Sequence, residues 1–198
     1  MSGPFQRREG EGVTLPGPAI GLVETTSIAR GLVVADAMVK RALVTLALAR
    51  PVTPGKHVVV VTGEVAEVEE AMAAGTAAAQ GTLVDRLYLP QAHPAVLRSL
   101  GGGRRAAGLS SLGIVETFTV AAALLGADAA CKAAEVELAE LRLADGLGGK
   151  GYFIVTQTLD LVEAAMGAVQ RLLEPGLLLT TEIIAAPHED LLEALRRR

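Results

Sequence analysis

The chain contains itself twice. GLVETTSIARGLVVADAMVKRA at 21–42 returns as GIVETFTVAAALLGADAACKAA at 113–134, with 11 of 22 positions identical at an offset of 92. Further on the offset is 94, because the second copy carries two extra residues, and 56–72 matches 150–166 at 7 of 17 positions. The four lysines fall into two repeat-matched pairs, Lys40 with Lys132 and Lys56 with Lys150. A repeat of this period requires both copies to adopt one fold, a tighter constraint than any composition figure. It divides the chain into an arm (1–18), a first domain (19–100), a linker (101–110) and a second domain (111–198). The linker, GGGRRAAGLS, is flexible by composition.

Each copy reads as the same series of elements. AIGLVET (19–25) and SLGIVET (111–117) are short apolar strands. Ala-rich stretches with helical spacing follow at 27–43 and 119–134, with Ser27 and Thr119 at the N-cap positions. A strand (44–50, 136–143), a loop (51–56, 144–150) and a further strand (57–63, 151–157) come next. The VVVV run within 57–63 predicts burial on both faces. A second helix (64–79, 158–173), a fourth strand (83–90, 177–185) and a short closing helix (93–100, 188–196) complete each copy. The order β-α-β-β-α-β is the split βαβ, ferredoxin-like arrangement, so the fold class is α+β: two tandem antiparallel sheets, each with helices on one face.

Composition narrows the function. Apolar residues make up 51% of the chain, but Trp is absent and only three Phe and two Tyr occur. The core is therefore built from Ala, Val, Leu and Ile, which suits thin, closely packed elements more than an aromatic-lined pocket. A net charge of −4 supplies no basic field for nucleic acid or an anionic membrane surface. One cysteine excludes an internal disulfide and fits a reducing cytoplasm. The N-terminal arm is polar and rich in Gly and Pro, unlike a signal peptide, and no apolar run reaches membrane-spanning length.

No catalytic apparatus emerges. His57, His93 and His188 include no pair at metal-ligand spacing, and His93 and His188 open equivalent C-terminal helices, where capping explains them. Cys131 stands where the first copy has Val39, which predicts a small buried apolar site. Glu24 and Glu116 end equivalent strands without a partner acid or nucleophile; backbone N–H groups at the strand-to-helix turn are their expected donors. Asp36 and Asp128 read as solvated or interface acids. VTPGK (52–56) and ADGLGGK (144–150) suggest phosphate loops, but each joins two strands and has no helix N-terminus to hold an anion.

The GLVET start and ADAMVK helix, kept as GIVET and ADAACK, make the chain resemble the shell proteins of bacterial microcompartments. TGEVAEVEEAM and TQTLDLVEAAM resemble the family's second helix, and LPQAHP and IAAPHED stand at its Pro-Arg-Pro-His segment. Two copies in ordinary strand order resemble the tandem, trimer-forming, non-permuted class. The resemblance implies a structural shell protein without catalytic, metal or cofactor residues. It implies a homotrimer whose six domains ring a central pore for small metabolites. Partners would be hexameric and pentameric shell proteins, with encapsulated enzymes as further candidates, in a cytoplasmic microcompartment.

By position, the resemblance assigns Thr53, Pro54 and Gly55 of the first copy to the pore lining, with Asp145, Gly146, Leu147, Gly148 and Gly149 of the second. Lys56 and Lys150 flank the pore, and Lys40 and Lys132 occupy the tile edge. The family's edge arginine is missing in both copies, replaced near Gln91 and near Ala185 or Ala186. Neither loop holds a cysteine for the iron–sulfur cluster that some tandem members carry. The alternative reading is a small-molecule-binding regulatory protein on a duplicated ferredoxin-like fold.

Overall fold

The computed structural model describes residues 13–102, 108–144 and 146–196; most of the arm, the middle of the linker, Asp145 and the last two arginines lie outside the described residues. The first domain runs β1 (Ala19–Thr25), α1 (Ile28–Arg41), β2 (Thr45–Val52), β3 (Lys56–Gly63), α2 (Val65–Ala79), β4 (Leu83–Leu89) and α3 (Pro94–Leu100). The second repeats it: β5 (Ser111–Thr117), α4 (Val120–Ala133), β6 (Glu137–Leu143), β7 (Gly151–Gln157), α5 (Leu159–Leu172), β8 (Leu178–Ile184) and α6 (Glu189–Arg196). The expected elements are all present. The main difference is that β2 runs two residues further than its predicted end, which leaves Thr53–Gly55 as the turn.

Each domain forms an antiparallel four-stranded sheet, in the orders β2-β3-β1-β4 and β6-β7-β5-β8. The likeness reaches the irregularities. The register shifts between Leu46 and Leu48 in β2, and between Leu138 and Glu140 in β6. It shifts again at the ends of β1 and β5, after Glu24 and Glu116. Bulges bend and twist a strand, so matching bulges give both sheets the same curvature.

The caps are local. Ser27 and Thr119 accept hydrogen bonds from Arg30 N and Ala122 N, as expected of N-cap side chains. His93 Nδ1 accepts from Ala95 N at 3.3 Å, and His188 Nδ1 from Asp190 N at 3.2 Å, so both histidines serve their own helix starts.

The two domains share a core, built across the junction by helix α4 and by α3, which packs against β6. In β3, Val59 and Val61 face α1 and α2, whereas Val58 and Val60 face the other way and join a cluster with residues of the second domain. That cluster includes Val120, Leu124, Ala127 and Cys131 of α4, together with Phe153 and Val155 beneath it. Helix α4 thus lies between its own sheet and the outer face of the first sheet. Ten of its fourteen residues are buried, which a helix apolar on all sides requires. Only four of fourteen are buried in α1, its repeat equivalent. Leu32 is 58% exposed, whereas Leu124, the matching residue, is 0% exposed.

Candidate functional site

The site lies where the end of β1, the hairpin between β2 and β3, and the start of α4 meet. Glu24 closes β1 and is wholly buried. Its Oε1 accepts from Lys56 Nζ at 2.8 Å, and its Oε2 accepts from Val120 N at 3.2 Å. The donor is indeed a strand-to-helix turn, as expected of this residue, but the turn of the other repeat. A carboxylate against the first N–H groups of a helix gains from their partial positive charge. Asp85 sits beside Glu24 in the ladder and accepts from the Thr119 hydroxyl at 2.6 Å. Two carboxylates of the first domain therefore hold the N-terminus of α4, and one of them also holds the lysine that ends the first loop.

Further contacts of this junction run along α4 and at the end of β6. His93 N donates to Asp128 Oδ1 at 2.7 Å, and Lys132 Nζ donates to Asp128 Oδ2 at 2.6 Å and to the Gln91 carbonyl. Arg50 of β2 donates to the Leu143 carbonyl at 3.2 Å, next to the second loop. Lys132 is thus committed within the chain, while among the described residues Lys40 forms only an exposed pair with Asp36 on its own helix. Burial holds His93 below the ordinary imidazole range, with Asp128 opposing the shift. Burial, aided by the Asp128 carboxylate, pushes the Cys131 thiol up to about 11, so it has the character of packing rather than of a nucleophile.

The two loops lie side by side. Thr53, Pro54 and Gly55 form an exposed turn closed by Gly55 N donating to the Val52 carbonyl at 2.9 Å. In the second loop Gly146, Gly148 and Gly149 all have positive φ, and Lys150 N donates to the Leu147 carbonyl at 3.2 Å. A Cβ placed on Gly149 would lie 3.3 Å from the Thr53 carbonyl oxygen, from Pro54 Cδ and from Lys56 Nζ. The loops assigned to one place from sequence thus meet in space, with Lys56 between them. Asp145, the remaining loop residue assigned from sequence, lies outside the described residues.

The sequence reading did not single out Asp85, Arg50 or Thr119 as junction contacts. Asp85 had one available signal: its partner in the other copy, by ladder position, is the neutral Thr180.

The BMC domain model matches this chain twice, over residues 19–92 and 111–187. The chain belongs to the BMC-domain family. It is a tandem, non-permuted shell protein of bacterial microcompartments, a structural protein and not an enzyme. The bacterial microcompartment shell protein PduT of Citrobacter freundii is 40% identical over 174 residues, covering 87% of this chain and 95% of that protein. A carboxysome shell protein, CcmK3 of Halothece sp. (strain PCC 7418), is 40% identical over 76 residues, 36% of this chain and 74% of its own. A solved microcompartment protein from Desulfitobacterium hafniense DCB superposes with a TM-score of 0.82 at 40% identity, covering 88% of this chain and 98% of that one. The fused permuted hexameric shell protein MSM0275 of the RMM microcompartment shares the fold, with a TM-score of 0.57 at 17% identity over 77% of this chain and 79% of its own. BMC-domain shell proteins assemble into oligomeric shells. Among the described residues no helix is long and apolar enough to cross a membrane.

Proposed function

We propose that three copies of this shell protein close into a ring of six BMC domains around a pore for small metabolites, and that the ring tiles with hexameric shell proteins. One observation carries the reading: the domain junction inside the chain has two unmatched halves at its ends. The sheet face that α4 covers in the first domain has an equivalent in the second, and the α4 face that does the covering has an equivalent in α1. On the sheet side, Leu22 and Val58 are fully buried, but their equivalents Ile114 and Tyr152 are only half-buried. On the helix side, Val120, Leu124 and Cys131 are buried, but Ile28, Leu32 and Val39 are exposed. A junction that joins one domain to the next, repeated head to tail, is heterologous and makes a closed ring when its rotation closes.

In such a ring the paired loops around Thr53–Gly55 and Gly146–Gly149 would face the centre, three of each. Their glycines leave backbone N–H and C=O groups available to polar permeants, as in other pores lined by main chain. Lys56 and Lys150 stand at the loop ends, each paired with a carboxylate, Glu24 and Glu116 respectively, so that they fix the loops rather than charge the lumen. Lys40, with its exposed partner Asp36, would meet the second domain of the next copy as Lys132 and Asp128 meet the first.

Sedimentation equilibrium of the purified chain tests the ring. The expected species has about three times the 20.4 kDa chain mass. Leu32→Glu, which charges the exposed face of α1, is expected to give the single-chain mass. A wild-type chain that stays a compact monomer at every concentration would sink the proposal. Co-expression with a hexameric shell protein, viewed by electron microscopy, is expected to give sheets, tubes or closed shells. Discrete particles with saturable ligand binding would instead support a regulatory protein.

A further inference from the structure

We propose that Glu116 is a positioning residue whose site is completed by a second copy: its carboxylate accepts the Ile28 N–H at the start of that copy's α1 and thereby sets Lys150 and the second pore loop. The inference rests on the ring reading and specifies what ring closure does to the pore.

The geometry comes from the sister site in the same chain. Glu24 holds both Lys56 Nζ and the N–H of Val120, the first residue of α4, and is 0% exposed. The repeat maps Glu24 onto Glu116, Lys56 onto Lys150, and Val120 onto Ile28, the first residue of α1. At the second site half of the arrangement is present. Lys150 Nζ lies 3.5 Å from Glu116 Oε2, against 2.8 Å in the complete site, and the Glu116 side chain is 41% exposed. Ser27 caps α1 as Thr119 caps α4, so α1 offers a first turn of the same form.

The two sites differ in a way that gives Glu116 more to do. At the internal junction Asp85 also binds the helix N-terminus, through Thr119. Its ladder equivalent at the open site is Thr180, which carries no charge. Among the described residues, Glu116 is then the carboxylate at this end of the second sheet positioned, as Glu24 is, to receive a helix N-terminus. Drawing it into the junction shortens its contact with Lys150 and anchors the loop end, as Lys56 is anchored beside Gly149. Closure of the ring and ordering of the pore are one event under this arrangement.

The test is backbone hydrogen exchange on full-length protein, above and below the concentration at which the ring dissociates, with sedimentation run in parallel. In wild type the amides of Ile28 and of residues 146–150 are expected to exchange about tenfold more slowly in the ring. Glu116→Ala, half-exposed in the single chain and so compatible with folding, is expected to form rings at higher concentration without that added protection. Ile28→Pro supplies the second arm. Proline is tolerated at the first helical position but removes the N–H. It should reproduce the Glu116→Ala loss at 146–150, from the other side of the interface. Full wild-type protection of 146–150 in Glu116→Ala rings would overturn the role of Glu116 and leave the ring intact. A wild-type protein that forms no ring would overturn both readings.

Discussion

Gly31 of α1 lies against the imidazole of His57: a Cβ at Gly31 would fall 2.4 Å from Cβ, Cγ and Nδ1 of that side chain. In the second domain the arrangement is reversed. Gly151 occupies the strand position of His57, Ala123 the helix position of Gly31, and a Cβ at Gly151 would meet Ala123 Cβ at 2.5 Å. Both domains bring helix and strand equally close, each with one glycine, placed on opposite partners. Gly31→Ala is therefore expected to overpack the first domain by about 1–3 kcal/mol. The double variant Gly31→Ala with His57→Gly reproduces the second domain and should recover most of that loss. A double-mutant cycle by urea unfolding checks this; additive costs would show that the two positions do not compensate.

His57 is almost fully buried, and neither ring nitrogen has a hydrogen-bond partner among the described residues. Burial lowers its pKa from the ordinary 6.5. The unfolded chain takes up a proton at this residue as pH falls below about 6.5, whereas the folded chain resists until a lower pH. Stability is therefore complete above that value and declines as pH falls toward the depressed folded pKa. His93, lowered by burial as well, acts in the same direction. Unfolding midpoints at pH 7.5 and pH 5 should differ less in His57→Leu than in wild type.

Asp128 accepts from His93 N and from Lys132, whereas its repeat equivalent Asp36 binds only Lys40 on the surface. Asp128→Ala should cost about 2 kcal/mol, chiefly from the backbone N–H left unpaired at the junction, since half-exposed Lys132 regains water. Asp36→Ala should cost under about 0.5 kcal/mol in chains kept single by Leu32→Glu. Thermal melts of the two variants in that background measure the difference.

Gly149 and Gly146 both need positive φ, but only Gly149 faces the other loop within van der Waals reach. Alanine at Gly146 meets only backbone strain, about 1 kcal/mol. Alanine at Gly149 meets the same strain and must also displace Lys56 or Pro54. Its melting temperature should therefore fall further, at about 2–4 °C for each added kcal/mol in a chain of this size. Equal melting temperatures would show that the loops do not bear on each other.

The thiol of Cys131, pushed up to about 11 and buried in the junction, should be unreactive in the folded protein. At pH 8 about one thousandth of it is thiolate, against roughly a tenth or more of an ordinary exposed thiol. Reaction with an aromatic disulfide reagent should be at least about a hundredfold slower in native protein than in urea. Rapid native labelling would indicate that the junction opens.

The amino-acid sequence by itself determined that there are two domains, what fold each adopts, and where nearly every element begins and ends. Those features rest on short-range causes. Alternation and helical spacing set the elements, Ser27 and Thr119 cap their helices from three residues away, and the repeat counts the domains. Loop membership was legible too, because Lys56 and Lys150 mark equivalent ends. Tertiary structure decided what the equivalent residues do. Glu24 meets a helix start 96 positions further along, and no local pattern selects that partner. Two domains in one chain can form only one internal junction, so one of two similar helices is buried and the other keeps its apolar face toward solvent. Matched blocks thus acquire different roles: Leu124 and Asp128 bind the chain to itself, and Leu32 and Asp36 remain on its surface.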